Sequence, residues 1–257
     1  MPDYSIVIPA YNESSRIRAS LEQVLRFIAE RNWNAEVVVV NDGSRDNTAD
    51  IVREFVVRNG AVRLIENPGN RGKGYSVRNG VLHATGERIL FADADMSSPI
   101  REAAKLFNAV EDGADVAIGS RWLNPEMMTE RQSIFRQAAG RMFNLFNRIV
   151  LGLRFKDTQC GMKAFTRQAA LAVFARQTIE RWGFDPEILF IARKQGYKIV
   201  EIAVEWAHDD RSKINPLLDG LKMCSEMLRI RWNSLRGIYA HSADVVVPGT
   251  PLKRFDS

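Results

Sequence analysis

Cysteine is scarce in this sequence: Cys160 and Cys224 are the only two in 257 residues, and they lie far apart. Two distant thiols exclude a disulfide framework or a zinc cluster and make a reducing cytoplasm the expected compartment. Long apolar runs are missing as well. No stretch approaches the ~18–20 residues needed to cross a bilayer, so a soluble or peripheral protein is expected. Met1-Pro2-Asp3-Tyr4 leads straight into a strand pattern, and no signal peptide is read there. Glycine is present, but no G-x-G-x-x-G opens the first helix and no Walker loop occurs, which disfavours NAD. There is no excess of acid: 36 Lys and Arg face 31 Asp and Glu, for a net charge of +5. That balance favours anionic partners such as nucleotides, phosphates or an acidic membrane surface.

What is present is an alternation of strands and helices. Ser5-Ile6-Val7-Ile8 reads as an apolar strand that Pro9 should stop, because proline cannot donate to a central ladder. A helix over about 14–31 follows, with Leu21, Val24, Leu25 and Ile28 on its apolar face. Glu36–Val40 is a β-branched run of the kind buried on both faces of a parallel sheet. It ends on Asn41-Asp42-Gly43-Ser44, before a helix over about 47–59. Val62–Glu66 ends on Asn67-Pro68-Gly69, then Asn70-Arg71-Gly72-Lys73-Gly74 and a helix to about 84. Arg88–Phe91 ends on Asp93-Ala94-Asp95, with Ser97 or Ser98 as the expected helix cap and Pro99 as the first helical residue. Asp115–Gly119 ends on Ser120-Arg121. Such alternation implies a doubly wound sheet, whose ligands sit beyond the carboxyl ends of the strands. Each strand here ends in polar residues. Singly these are turn chemistry; together on one edge they read as a site, with paired carboxylates suited to a hard divalent cation and Arg71 and Lys73 suited to phosphates.

Ile6–Glu13, Val39–Ser44, Asn70–Gly74 and Asp93-Ala94-Asp95, in that order, resemble the family 2 glycosyltransferases of GT-A fold. The likeness spans roughly 4–215. It implies a Rossmann-like, mixed, mostly parallel α/β sheet flanked by helices, with 1–120 as a nucleotide-binding half and 121–215 as an acceptor half. It also implies a nucleotide-sugar donor and Mg²⁺ or Mn²⁺. By resemblance, Pro9, Tyr11, Glu13 and Asp42 cradle the base and ribose. Asp93 and Ala94 face the ribose or sugar, and Asp95 ligates the metal. Lys156-Asp157-Thr158-Gln159-Cys160-Gly161-Met162-Lys163 resembles the Asp-Thr-Gln-Cys-Gly-Phe-Lys segment of dolichyl-phosphate β-glucosyltransferases, with Met162 in place of Phe. Trp182–Glu187, Glu201–Trp206 and Arg211-Ser212-Lys213 resemble later segments of those enzymes and of dolichyl-phosphate mannose synthases. There the Ser-Lys loop folds over the donor diphosphate. Asp209 and Asp210 before it are a departure, read as a turn; His208 is a candidate metal ligand or phosphate contact. Gln177–Trp182 is one residue too long for the Gln-x-x-Arg-Trp of processive polysaccharide synthases.

Two stretches stand apart. A basic amphipathic helix over about 133–151 carries Arg136, Arg141 and Arg148, with Arg131 just before it. A second, over 216–240, mixes Leu, Met and Trp with Lys222, Arg229, Arg231 and Arg236. Packing on the sheet, a membrane interface and a homodimer contact all fit them. Residues 241–257 read as a flexible tail.

The activity this implies is inverting transfer of a hexose, glucose from UDP-glucose, onto a polyprenyl or dolichyl phosphate at the cytoplasmic face of a membrane. GDP-mannose as donor, or a hydroxyl acceptor, is the alternative. No nucleic-acid partner is expected. Lys73, Gln159, Arg211 and Lys213 join the donor contacts, with Lys213 placed among the catalytic groups. Arg121, Arg131 and Arg136 are candidates for the acceptor phosphate. Asp157 is the base if the acceptor is a hydroxyl and a positioning group otherwise. A sensor with a degenerate site is argued against by the intact acidic pair, and a nucleotidyltransferase by the lack of a glycine-rich loop after the first strand.

Overall fold

A computed structural model describes residues 1–124, 145–207 and 216–240, with side chains of the last segment from Lys222 onward. Seven strands form one sheet: β1 (Tyr4–Ala10), β2 (Ala35–Asn41), β3 (Val62–Glu66), β4 (Arg88–Ala92), β5 (Val116–Ser120), β6 (Met162–Thr166) and β7 (Ile199–Ala203). Their order is β3-β2-β1-β4-β6-β5-β7. β6 runs antiparallel to both β4 and β5, and every other pairing is parallel.

The helices are α1 (Ile17–Glu30), α2 (Thr48–Arg58), α3 (Lys73–His83), α4 (Ala103–Glu111), α5 (145–151), α6 (Arg167–Arg176), α7 (Phe184–Lys194) and α8 (Pro216–Leu235). Strand side chains alternate between two faces, and two cores result. Ile6, Ile8, Val37, Val39 and Leu90 pack against residues of α1, α2 and α4. Val7, Val38, Val40, Ile89 and Phe91 pack against residues of α3, α6, α7 and α8. Both faces are covered, which is why the central strands are continuous apolar runs. Gly80 lets α3 lie close to the sheet, since a Cβ there would stand 2.4 Å from Val7 Cγ1.

The structure corrects two local expectations. Pro9 does not stop β1, which continues to Ala10 with Pro9 opposite Val40. Ala10 O accepts the Asp42 N–H from the β2 side, so the alternation turns Pro9 toward β4, where pairing has already ended at Val7 and Phe91. The missing donor therefore falls where no ladder needs it. Neither Ser97 nor Ser98 caps a helix, and Pro99 is not helical (ψ 143°); a 3₁₀ turn at Ile100–Glu102 precedes α4. Both serines are used elsewhere. Ser97 N–H donates to Asp95 Oδ1 at 2.9 Å and Ser97 O accepts from Ala207 N, while Ser98 Oγ contacts Cys160 Sγ.

Of the helix expected over 133–151, residues 145–151 form α5; 125–144 lie outside the described residues, as do 208–215 and the tail from 241.

Candidate active site

The carboxyl ends of β1, β2 and β3 carry loops locked to one another by short polar side chains. Asn12, at φ +52°, donates its N–H to Ser44 Oγ, and its Oδ1 accepts from Arg45 N. Glu13 N–H donates to Thr48 Oγ1, and the Glu13 carboxylate is paired with Arg16. Asp42 is buried. Its Oδ1 accepts from Arg71 N (2.9 Å) and Asn67 Nδ2 (2.8 Å), and its Oδ2 accepts from Gly72 N (2.8 Å). The Asp42 carboxylate thus braces the 67–72 loop. Gly43, at φ +68°, lies against Gly69, where a Cβ would come within 2.6 Å of backbone. Pro9, Tyr11 and Glu13 are half-buried along the same edge.

β4 then delivers the acidic pair. Met96, in the left-handed region at φ +50°, turns the chain back so that its N–H meets Asp93 O. Lys73, the first residue of α3, reaches across to Asp93: Nζ lies 2.6 Å from Oδ1. The ammonium also sits 5.6 Å from the Trp182 ring centre and 5.8 Å from that of Phe184. Burial opposes its charge, but Asp93 and Asp185 hold the Lys73 ammonium above its ordinary range. Asp95 shows the converse. Burial and the neighbouring Asp93 charge push its carboxyl up, against the Ser97 hydrogen bonds.

A third group comes from the loop before β6. Arg121, at the end of β5, grips Asp157 with Nε (2.7 Å) and Nη2 (2.9 Å), and its backbone N–H adds a third bond at 3.0 Å. Asp157 is 1% exposed. Burial alone would raise its carboxyl, but the Arg121 guanidinium holds it below the usual carboxylate range. Arg121 also lies 5.5 Å from the Trp206 ring centre. Gln159 N–H donates to Asp157 Oδ1, and Asn147 of α5 reaches Thr158 Oγ1. The loop meets the acidic pair at Gly161, where a Cβ would lie 2.1 Å from Asp93 Oδ2. Asp93, Met96, Ser97, Ser98, Gly161 and Trp206 line a small open cleft with Met162.

The structure thus brings together Lys73, Asp93, Asp95, Arg121, Asp157 and Gln159. Arg131, Arg136, His208, Arg211 and Lys213 lie outside the described residues. One pair escaped sequence reasoning: Lys163, 0% exposed on β6, donates to Asp185 Oδ1 and to Cys160 O. Each residue lies in a motif quoted above, but neither motif signals that the two pair. No group of three metal-binding side chains occurs among the described residues.

A parallel-dominated sheet whose strand-end loops carry an acidic pair and facing cations is an architecture that glycosyltransferases use. Residues 5–174 match the glycosyl transferase family 2 domain, and the chain belongs to that family. It is 37% identical over 237 residues to a dolichyl-phosphate β-glucosyltransferase of Trichomonas vaginalis, covering 88% of this chain and 72% of that protein. It is 37% identical over 251 residues to the dolichyl-phosphate β-glucosyltransferase of Homo sapiens, covering 91% and 76%. Its fold is similar to that of glucosyl-3-phosphoglycerate synthase from Mycobacterium tuberculosis, solved with Mn²⁺ and UDP, at a TM-score of 0.64 and 17% identity over 91% of this chain and 79% of that one. The sheet is of the GT-A kind.

Proposed function

We propose that this protein transfers glucose from UDP-glucose to a dolichyl or other polyprenyl phosphate, with inversion at the anomeric carbon. The carrying observation is that the Asp157 loop, whose sequence resembles a segment of the dolichyl-phosphate glucosyltransferases, is seated against Asp93 of the strand-end pair.

In this reading Pro9, Tyr11, Glu13 and Asp42 line the base and ribose side, and Asp42 acts by holding the Arg71-Gly72 backbone. Asp93 and Ala94 face the donor. Asp95 fits a hard divalent cation: its carboxylate is crowded by Asp93, and Mg²⁺ or Mn²⁺ held by a carboxylate would share its shell with water and substrate phosphate. Bound there, Mg²⁺ or Mn²⁺ would offset the charge of the leaving diphosphate. His208, Arg211 and Lys213 are proposed to approach the same diphosphate from the closing loop.

The acceptor side needs cations rather than a base. A phosphate monoester has its second pKa near 6 and is largely dianionic at pH 7. Asp157, held ionised by Arg121, is poorly suited to take a proton. We assign it to orienting Arg121, and Arg121 with Arg131 and Arg136 to the acceptor phosphate.

The lipid acceptor calls for a surface on the membrane. α8 buries Met223, Met227 and Ile230 and turns Leu228, Trp232 and Leu235 outward, at 58%, 61% and 70% exposure. Arg229, Arg231 and Arg236 are exposed along the flanks. Apolar residues bordered by arginines suit a helix lying in the interface plane. No helix among the described residues is long and apolar enough to cross a membrane.

The test is a donor panel. UDP- and GDP-sugars are each incubated with polyprenyl phosphate and Mg²⁺ or Mn²⁺, and lipid-linked sugar is read directly. UDP-glucose is expected to give product. Product from GDP-mannose alone, or transfer only to hydroxyl acceptors, would overturn the assignment.

A further inference from the structure

Lys73 is aimed at the acidic pair and not outward to solvent. It stands in the first turn of α3, its side chain is 15% exposed, and its ammonium meets Asp93 Oδ1 at 2.6 Å. Apart from this ion pair, that oxygen has no hydrogen-bond donor among the described residues. Trp182 and Phe184 wall the ammonium with ring faces, and Asp95 stands one residue from its partner. α3 begins where the chain is fixed. Gly72, at φ +111°, and Gly74 both lie against the 179–181 backbone, and Tyr75 N–H donates to Glu180 O at 2.9 Å. The backbone under Lys73 is therefore anchored, and what can move is the four-carbon stem with its point charge.

Charge arithmetic gives this contact a consequence. Two carboxylates and one ammonium leave the pair with a single net negative charge. Adding a divalent cation alone makes the cluster net positive, in a place where burial weakens screening. Adding a nucleoside diphosphate with the cation restores anions and gives the ammonium a second place to go.

We propose that Lys73 is a built-in substitute cation: it occupies Asp93 while the site is empty and moves to the donor diphosphate when metal and nucleotide bind together. The inference rests on the metal site proposed above and deepens it. Lys73 is then a positioning residue that makes metal and donor binding interdependent. Metal alone competes with the ammonium and binds weakly. Metal with nucleotide does not compete, because the ammonium has a new partner.

The experiment measures Mn²⁺ binding directly, as loss of the free-ion electron paramagnetic resonance signal, on the full chain with and without UDP. Wild type is compared with K73M, which removes the charge at similar length, and K73R, which keeps it. Melting curves confirm that each variant is folded. UDP is expected to tighten Mn²⁺ binding to wild type by a factor in the range of about 5 to 150, the usual span of coupling between two sites. K73M is expected to bind Mn²⁺ more tightly than wild type without UDP and to gain less from UDP, and K73R to behave as wild type does. Equal or weaker Mn²⁺ binding by K73M without UDP would overturn the substitute-cation role, as would a K73R that tightens like K73M. If K73M fails to fold, Lys73→Gln takes its place in the same comparison. Absence of Mn²⁺ binding to wild type even with UDP would instead overturn the metal site, and the inference with it.

Discussion

Gly161 lacks a side chain, and Asp93 occupies the room this leaves. An alanine Cβ there would stand 2.1 Å from Asp93 Oδ2 and 2.5 Å from its Cγ. The carboxylate would have to leave its place between Lys73 and the Asp157 loop. Gly161→Ala is expected to lower kcat by about 100-fold, the cost of displacing a reacting group by roughly an ångström, with little change in melting temperature; steady-state kinetics and a thermal melt check both. Lys163 and Asp185 pose the opposite problem, since both are buried and each is the other's charge partner. Removing one leaves an uncompensated charge in the core. Lys163→Met is expected to destabilise by about 3–5 kcal/mol, and pairing it with Asp185→Leu to recover part of that loss, as read by urea unfolding. These residues also mark how far the sequence can be read. Asp93 and Asp95 are legible because they sit in one short motif at a strand end. Lys163 and Asp185 are 22 positions apart, and their pairing depends on β6 entering the sheet beside β4. Arg121 and Asp157 are both legible as polar motif residues. That they bind each other is a matter of topology, which neither motif announces on its own.

Helices and loops were legible where periodicity decides and less so where side chains have competing uses. The apolar spacing places α1, α2, α3 and α8 to within a few residues of their observed ends. The start of α4 is misplaced: Ser97 and Ser98 are good caps in principle, but the Ser97 hydroxyl serves Asp95 and the Ser98 hydroxyl lies on Cys160. Just ahead of α2, whose N-cap is Asn47, Asp46 supplies the local hydrogen bonds. It accepts from Thr48 N (3.1 Å) and Thr48 Oγ1 (2.5 Å), and its other oxygen from Ser14 N (3.1 Å). Slight burial pushes its carboxyl up, and these donors outweigh that and hold it at about 2, against about 3.9 in an unfolded chain. A depressed native value adds stability that is complete above pH ~4 and fades as pH falls toward 2. Asp46→Asn is therefore expected to lower the urea midpoint at pH 7, and the gap from wild type to close between pH 4 and pH 2. Among the described residues, nothing covers the outer face of α8 around Leu228, Trp232 and Leu235. Leu228→Ser with Trp232→Ser is expected to weaken binding to anionic vesicles while melting stays near wild type, and added salt to weaken the wild-type interaction through its arginines. A co-sedimentation series reads both. Unchanged binding would turn attention to a homodimer contact, which the same variants would reveal by sedimentation velocity.

At the scale of the whole molecule, alternation of strands and helices announces the architecture, and the mixed sheet agrees with it. The place of β6 is harder to read. Met162–Thr166 is a short segment with a buried lysine, and its strand character comes from the two neighbours it joins. It lies between β4 and β5, so the acidic pair and the Asp157 loop become adjacent only through it. Residues 1–120 expressed alone would present β4 and β5 with open edges of the kind that template aggregation. That fragment is expected to be insoluble or to run as large species on size exclusion; a monodisperse, folded fragment would show β6 to be dispensable. The same placement bears on synthesis. The ribosome releases the chain from its N-terminus, so β4 and β5 emerge before the strand that must part them. The sheet cannot close in the order in which it is made, and the nascent chain must carry two unfinished edges until residue 166 has cleared the exit tunnel. In that interval the chain is exposed to the misassembly that threatens late-pairing folds, and chaperone demand is expected to concentrate there.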